Sequence, residues 1–171
     1  PQGGKEQDAP TADLLTPIPA CATYQTILTQ TDLNAWLARL QAAGEFAFDT
    51  ETTSLDYMQA EIVGVSLAMQ AGEAAYLPLA HDYLGVPEQL NRETVLVQLQ
   101  PLLENESLRK IGQNLKYDRS VLLNHGIELR GIAHDTMLES YVLDSTASRH
   151  DFDTLCEQHL NPSPIAFADL A

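Results

Sequence analysis

Asp49 and Glu51 stand two residues apart at the end of the apolar run Phe46-Ala47-Phe48. In an extended backbone that spacing sends both side chains to the same side of a sheet. Two carboxylates so placed repel each other unless a cation lies between them. Their hard oxygens suit Mg²⁺ or Mn²⁺, which keep waters and complete their shells with substrate phosphate oxygens. A strand end also carries acids simply because it faces solvent, so the pair alone admits both readings. A third acid, Asp118, follows Asn114-Leu115-Lys116-Tyr117 at the start of an expected helix. The exposed N–H groups of a first turn favour an acid whether or not it holds metal, and Asn114 fits an N-cap. A strand-borne pair with one helix-borne acid nonetheless offers what two-metal phosphodiester hydrolysis needs: one ion to activate water and another to stabilise the leaving oxygen.

The elements that must position these acids are read from periodicity and punctuation. Segment 21–28, CATYQTIL, fits an edge strand. Thr31 or Asp32 is expected to cap a helix in which Leu33, Trp36, Leu37 and Leu40 recur at helical spacing, ended by Gly44. Runs at 45–51, 61–69 and 74–79 with short connectors predict an antiparallel meander. Asn91 is expected to cap a helix through Leu99 and Leu103, with Pro101 bending or breaking it near its end. A strand at 108–112, a helix at about 115–124, a strand at 127–132, a helix after Asp135 and a last helix from Asp151 to Leu160 complete the reading. Strands first, then strands alternating with helices, predict an α/β layer with a mixed sheet. A dinucleotide-binding turn is disfavoured, because Thr50-Glu51-Thr52-Thr53-Ser54 stands where glycines would be required.

The chain of 171 residues, 44% hydrophobic, suffices for one domain with a tail. Residues 1–20, rich in Pro, Gly, Asp and Thr, read as a linker, and 21–171 as the domain. The opening PQGGKEQDAPTADLL has no initiator Met and reads as cut from a longer polypeptide. With 9 Lys+Arg against 24 Asp+Glu the formal charge is −15, which argues against a free-standing binder of duplex. Arg109, Lys110, Lys116, Arg119 and Arg130 form the one stretch that could face phosphate, although scattered solvated charges are the commoner explanation for such a run. Cys21 and Cys156 make neither a zinc motif nor a disulfide framework, so a reduced, cytoplasmic protein is expected. No apolar run reaches the roughly 18 residues of a membrane helix, and no membrane partner is expected.

Together these segments resemble the 3′→5′ proofreading exonuclease domain of family A DNA polymerases of the bacterial polymerase I type. FAFDTETTSLD at 46–56 is similar to its first motif, and IGQNLKYDRSVLLNHGIELRG at 111–131 to its second. The likeness continues through AAYLPLAHDYLGVP, IAHDTMLESYVLDS, RHDFDTLCEQHL and PIAFADLA. The resemblance implies a ribonuclease-H-like sheet and four acids that hold two divalent ions, Mg²⁺ or Mn²⁺. Asp49, Glu51 and Asp118 match three of them: Asp49 bridging both ions, Glu51 beside the attacking water, Asp118 on the other ion. It also implies that Leu55 wedges against the terminal base and that Phe167 stacks in the same pocket. Thr52 backbone atoms and Asn114 match contacts to the terminal nucleotide, and Lys116 and Arg149 match contacts to the strand. Tyr117 and Asp135 also have counterparts, for which packing and N-capping are sufficient explanations.

The family's last motif, Tyr-x-x-x-Asp on one helical face, has no match after the second motif, since Tyr141 is followed four residues later by Ser145. The C-terminal part of the domain, with the fourth acid, is expected beyond Ala171, and the chain alone is expected to turn over little. The resemblance implies a monomeric polypeptide whose polymerase module supplies most of the grip on the 3′ end of single-stranded DNA. A catalytically incomplete DNA-end-binding domain and an RNA-trimming exonuclease of the same fold are the alternatives. A carboxylate-nucleophile phosphatase is disfavoured, because it would ask for a second Asp where the chain has Glu51.

Overall fold

The computed structural model describes residues 23–146 and 149–160. Six strands form one sheet in the order β1-β4-β3-β2-β5-β6. They are β1 (Thr23–Thr26), β2 (Glu45–Thr52), β3 (Ile62–Gln70), β4 (Glu73–Pro78), β5 (Arg109–Gly112) and β6 (Ile132–Asp135). β2, β3 and β4 make the expected antiparallel meander; β5 and β6 extend it in parallel beyond β2, and β1 pairs in parallel with β4. The helices are α1 (Gln30–Ala43), α2 (Arg92–Leu103), α3 (Leu115–Asn124), α4 (Thr136–Leu143) and α5 (Phe152–His159). This is the mixed sheet with helices of the ribonuclease-H-like fold.

Strand alternation sorts the sheet into two unlike faces. Phe46, Phe48 and Thr50 of β2 are buried on one face with Val65 and Leu67 of β3 and Ala75 and Leu77 of β4. Leu33, Trp36 and Leu40 of α1, Val95 and Leu99 of α2, and Leu115 and Val121 of α3 join them in one core. The opposite face of the same strands carries Ala47, Asp49, Glu51, Ser66, Ala68 and Ala74. Small and acidic side chains there leave room above the sheet rather than filling it.

Four local readings are corrected. The cap of α1 is Thr29, whose hydroxyl accepts from the Asp32 amide at 3.2 Å, and not Thr31 or Asp32. Pro101 does not break α2, because the amide it lacks would have served the carbonyl of exposed Val97, which water can reach. The strand expected at 127–132 lies at Ile132–Asp135. Ile127 and Leu129 are buried in alternation like strand residues, but their segment is pinned to the end of α2: Arg130 N donates to Leu103 O at 3.0 Å and Glu128 N to Glu104 Oε1 at 3.1 Å. Gly131 then turns the chain at φ 69°, where an added Cβ would meet Leu108 O at 2.6 Å.

The basic stretch is likewise not a phosphate-facing patch. Lys110 is buried, donating to the carbonyls of Asn105 (2.7 Å) and Leu108 (2.8 Å), and burial pushes its amine down to about 8. Arg109 pairs with Glu45, and Arg119 and Arg130 pair with Glu128. Lys116 remains exposed. No helix among the described residues is long and apolar enough to cross a membrane.

The fourth correction bears on the site. Asn114 does not cap α3 with its side chain; it lies in the left-handed region at φ 57°, ψ 44°. Asp135 does the capping from β6. One of its oxygens accepts from Leu115 N (2.9 Å), the other from Asn114 N (3.1 Å) and from Met137 N and Leu138 N at the start of its own helix α4. One buried carboxylate thus serves two helix N-termini. Asp135→Ala should therefore lower unfolding free energy by about 2–3 kcal/mol, roughly two caps' worth, while Asp135→Asn should lose less because its amide oxygen still accepts. Urea denaturation checks this, and an alanine variant within about 0.5 kcal/mol of wild type would refute the double cap.

Candidate active site

The acids meet at the end of β2, where the strand loses its neighbour. Pairing with β5 stops at Ala47 opposite Ile111, so the amide of Thr50 has no strand partner on that side. Asp118 takes it: Oδ1 accepts from Thr50 N at 2.9 Å and from Thr50 Oγ1 at 2.7 Å. Asp118 is 2% exposed, held by Thr50 and not only by the first turn of its helix. Burial raises its carboxyl above the ordinary range, and the two Thr50 donors work against that rise.

Asp49 and Glu51 flank Thr50 and point to the other face, opposite Ser66 and Gly64 of β3. Solvent reaches Asp49, yet it sits in a concavity with protein on several sides. That partial desolvation, with the charges of Asp118 and then Glu51, pushes its carboxyl from 3.8 up to about 7. The three acids therefore share one electrostatic neighbourhood, with Asp49 in the middle. They do not close a cage unaided: among the described residues no three acid, His or Cys side chains are grouped to hold an ion. The reason is geometric, since Asp118 approaches from the core side of β2 and turns its oxygen to Thr50.

Above the acids lies a cavity of about 570 Å³ whose lining includes Asp49, Glu51, Ser66, Gln113, Thr136 and Phe152. Gln113 and Phe152 were not anticipated from sequence. Gln113 is fixed in place, donating to His150 O at 2.9 Å and accepting from the Thr136 hydroxyl. The signal for Phe152 is an exposed aromatic at the start of an amphipathic helix.

The other expected residues fall as follows. Thr52 is tied to Tyr117 Oη (2.6 Å) and to Ser54 O (3.1 Å), and the Tyr117 hydroxyl also donates to Ser54 O. That clamp fixes the turn after β2, where Leu55 stands 97% exposed rather than anchoring the turn. Arg149 is exposed and pairs with Asp151 at 2.9 Å, next to the His150 carbonyl that holds Gln113. Phe167 lies outside the described residues, as does the 1–20 segment.

The profile of the 3′-5′ exonuclease family matches residues 24–171. The chain belongs to that family. It is 57% identical over 158 residues to DNA polymerase I of Pseudomonas aeruginosa, covering 91% of this chain and 17% of that protein. Against DNA polymerase I of Rhizobium leguminosarum it is 44% identical over 167 residues, covering 88% and 16%. The chain thus spans about a sixth of the length of these curated relatives. Its fold also superimposes on Brucella melitensis NrnC with bound Mg²⁺, with a TM-score of 0.60 at 21% identity, covering 88% of this chain and 67% of that one.

Crowding has a consequence for the metal-free protein. Below pH 3.8 Asp49 is protonated whether folded or not; between there and about 7 the unfolded chain ionises while the fold retains the proton. The penalty on the fold grows as pH rises through that window and persists above it. Asp49→Asn, in chelator, should raise Tm by roughly a few degrees above pH 7 and by nothing in strong acid. A gain of equal size at both ends in a calorimetric pH series would show that the carboxylate is not crowded.

Proposed function

We propose that the chain is the proofreading exonuclease part of a longer, cytoplasmic DNA polymerase, and that it hydrolyses the 3′-terminal phosphodiester of single-stranded or frayed DNA to release 5′-mononucleotides. The observation that carries this reading is the position of Asp49 between Asp118 and Glu51, with its carboxyl pushed up to about 7 by burial and their charges. Such a group is relieved by a cation. The donors are all carboxylate oxygens, which fit Mg²⁺ or Mn²⁺, and an incomplete cage is what ions that also take waters and phosphate oxygens require. NrnC, of like fold, has bound Mg²⁺. Bound there, two divalent ions would polarise the attacking water and offset charge on the departing 3′ oxygen.

The chain's own residues do the rest. Asp49 would serve both ions, Glu51 the one beside the attacking water, and Asp118 the other. The backbone of Thr52 and the side chain of Asn114, which makes no capping bond, hold the terminal nucleotide. Leu55 wedges beneath the last base, and Phe167 offers it a stacking face, which tolerates any base. Lys116 and Arg149 meet strand phosphates. Bases need not be read, because a mismatch lowers the cost of unpairing and so delivers a mispaired end more often. DNA is favoured over RNA as substrate by the 57% identity to a DNA polymerase I. A polymerase module of the same polypeptide would supply the grip that a chain of charge −15 lacks.

Shortening of a 5′-labelled single strand by the full-length polypeptide should require Mg²⁺ or Mn²⁺. Asp49→Ala should cut it by at least about a hundredfold and remove Mn²⁺ binding seen by calorimetry. Wild-type degradation by that variant would end the metal assignment.

A further inference from the structure

The sheet face that carries the acids continues past β3. Asp49 lies opposite Ser66, and Ser66 lies opposite Tyr76; in the next row Glu51 lies opposite Gly64. Gly64 leaves its place in the Glu51 row empty, and Tyr76 fills it. A Cβ on Gly64 would stand 1.9 Å from Tyr76 Oη and 2.5 Å from its Cζ. Glycine inside a strand weakens pairing and marks a close approach, which here is the phenol ring. Directly opposed Cβ atoms in an antiparallel pair are about 4.5–5.5 Å apart, so the hydroxyl lies within the swing of the Glu51 carboxylate.

The hydroxyl is held from behind. Tyr76 Oη and His81 Nε2 are 2.5 Å apart, and the backbone of His81 is fixed by Gln89, which accepts from His81 N at 2.9 Å and donates to His81 O at 2.8 Å. With the proton on Nε2, His81 donates to the phenol oxygen and the phenol proton is left for the acid side. Burial, followed by the charge of Glu51, pushes Tyr76 up to about 12, so it stays a neutral donor. We propose that Tyr76, held by His81, is a positioning residue that donates a hydrogen bond to the Glu51 carboxylate across the gap left by Gly64 and fixes the rotamer in which Glu51 serves the metal and the attacking water. This rests on the exonuclease reading of the site given above.

Two substitutions displace the hydroxyl by different routes: Tyr76→Phe deletes it and keeps the ring, while Gly64→Ala keeps it and evicts it. In the full-length polypeptide, each should weaken the Mn²⁺ binding that Asp49→Ala abolishes by roughly tenfold and lower kcat to a similar degree, with KM for DNA within about twofold. His81→Ala should reproduce the loss, and His81→Gln, which can still donate to the phenol oxygen, should recover most of it. A merely structural tyrosine would change Tm and leave metal affinity alone. Tyr76→Phe, nearly isosteric, keeps the test decisive even where Gly64→Ala misfolds. Wild-type metal affinity and kcat in Tyr76→Phe, with Asp49→Ala inactive, would overturn the role of Tyr76 and leave the exonuclease reading standing; full activity in Asp49→Ala would overturn both.

Discussion

The carboxylate of Asp118 accepts both donors of Thr50, its amide and its hydroxyl, and by doing so fastens α3 to the strand between two other acids. That contact sets several things at once. It satisfies a strand amide that β5 has stopped serving, it brings a third negative charge to a place already holding two, and it fixes the height of α3 along β2. Stability and reactivity pull in opposite directions here. The hydrogen bonds favour an ionised Asp118, whereas burial and mutual repulsion make neighbouring Asp49 reluctant to ionise. A folded chain that keeps this arrangement has its cost met elsewhere, in the leucine-rich layer beneath the sheet.

The division of the sheet into a filled face and an emptied one makes that tolerable. Core contacts lie on one side of β2, so Asp49 and Glu51 can sit on the other without displacing apolar packing, with Asp118 alone reaching the site from the core side. Small residues on the same face, Ala47, Ser66, Ala68 and Ala74, leave the cavity of about 570 Å³ beside them. Of the positive residues at 109–130, all but exposed Lys116 are committed away from the site. Lys110 is turned inward onto carbonyls, and Arg109, Arg119 and Arg130 are matched by glutamates. On the proposed reading, phosphate would be attracted chiefly where cations had neutralised the acids, which would couple nucleic-acid entry to metal occupancy by simple electrostatics.

Much of this was legible in the sequence wherever the determining interaction is local. The two-residue period of β2 set Asp49 and Glu51 on one face, and Asn91, Asp135 and Asp151 announced the starts of α2, α4 and α5. What escaped depends on partners distant along the chain. Asp118 reads as an ordinary first-turn acid because Thr50 is far from it in sequence. Asn114 reads as a cap until its backbone is seen in the left-handed region, with Asp135, arriving from a separate strand, accepting from the Asn114 and Leu115 amides instead. The alternation at Ile127 and Leu129 mimics a strand because the end of α2 buries the same side chains a sheet would. Tyr76 carries no signal at all without knowing that the residue diagonal to it, one strand over, is a glycine.

Tyr117 and Asp118 are consecutive on α3, and they grip different things: Tyr117 holds the turn that presents Leu55, and Asp118 holds the strand of acids. The span between the projecting leucine and the carboxylates is consequently gauged by a single turn of one helix, not by the play of a loop. On the proposed reading that makes α3 a depth stop. A strand threaded into the site comes to rest at a set distance whatever its last base is, so that the bite taken from it is uniform, and drift of the loop alone cannot change its length.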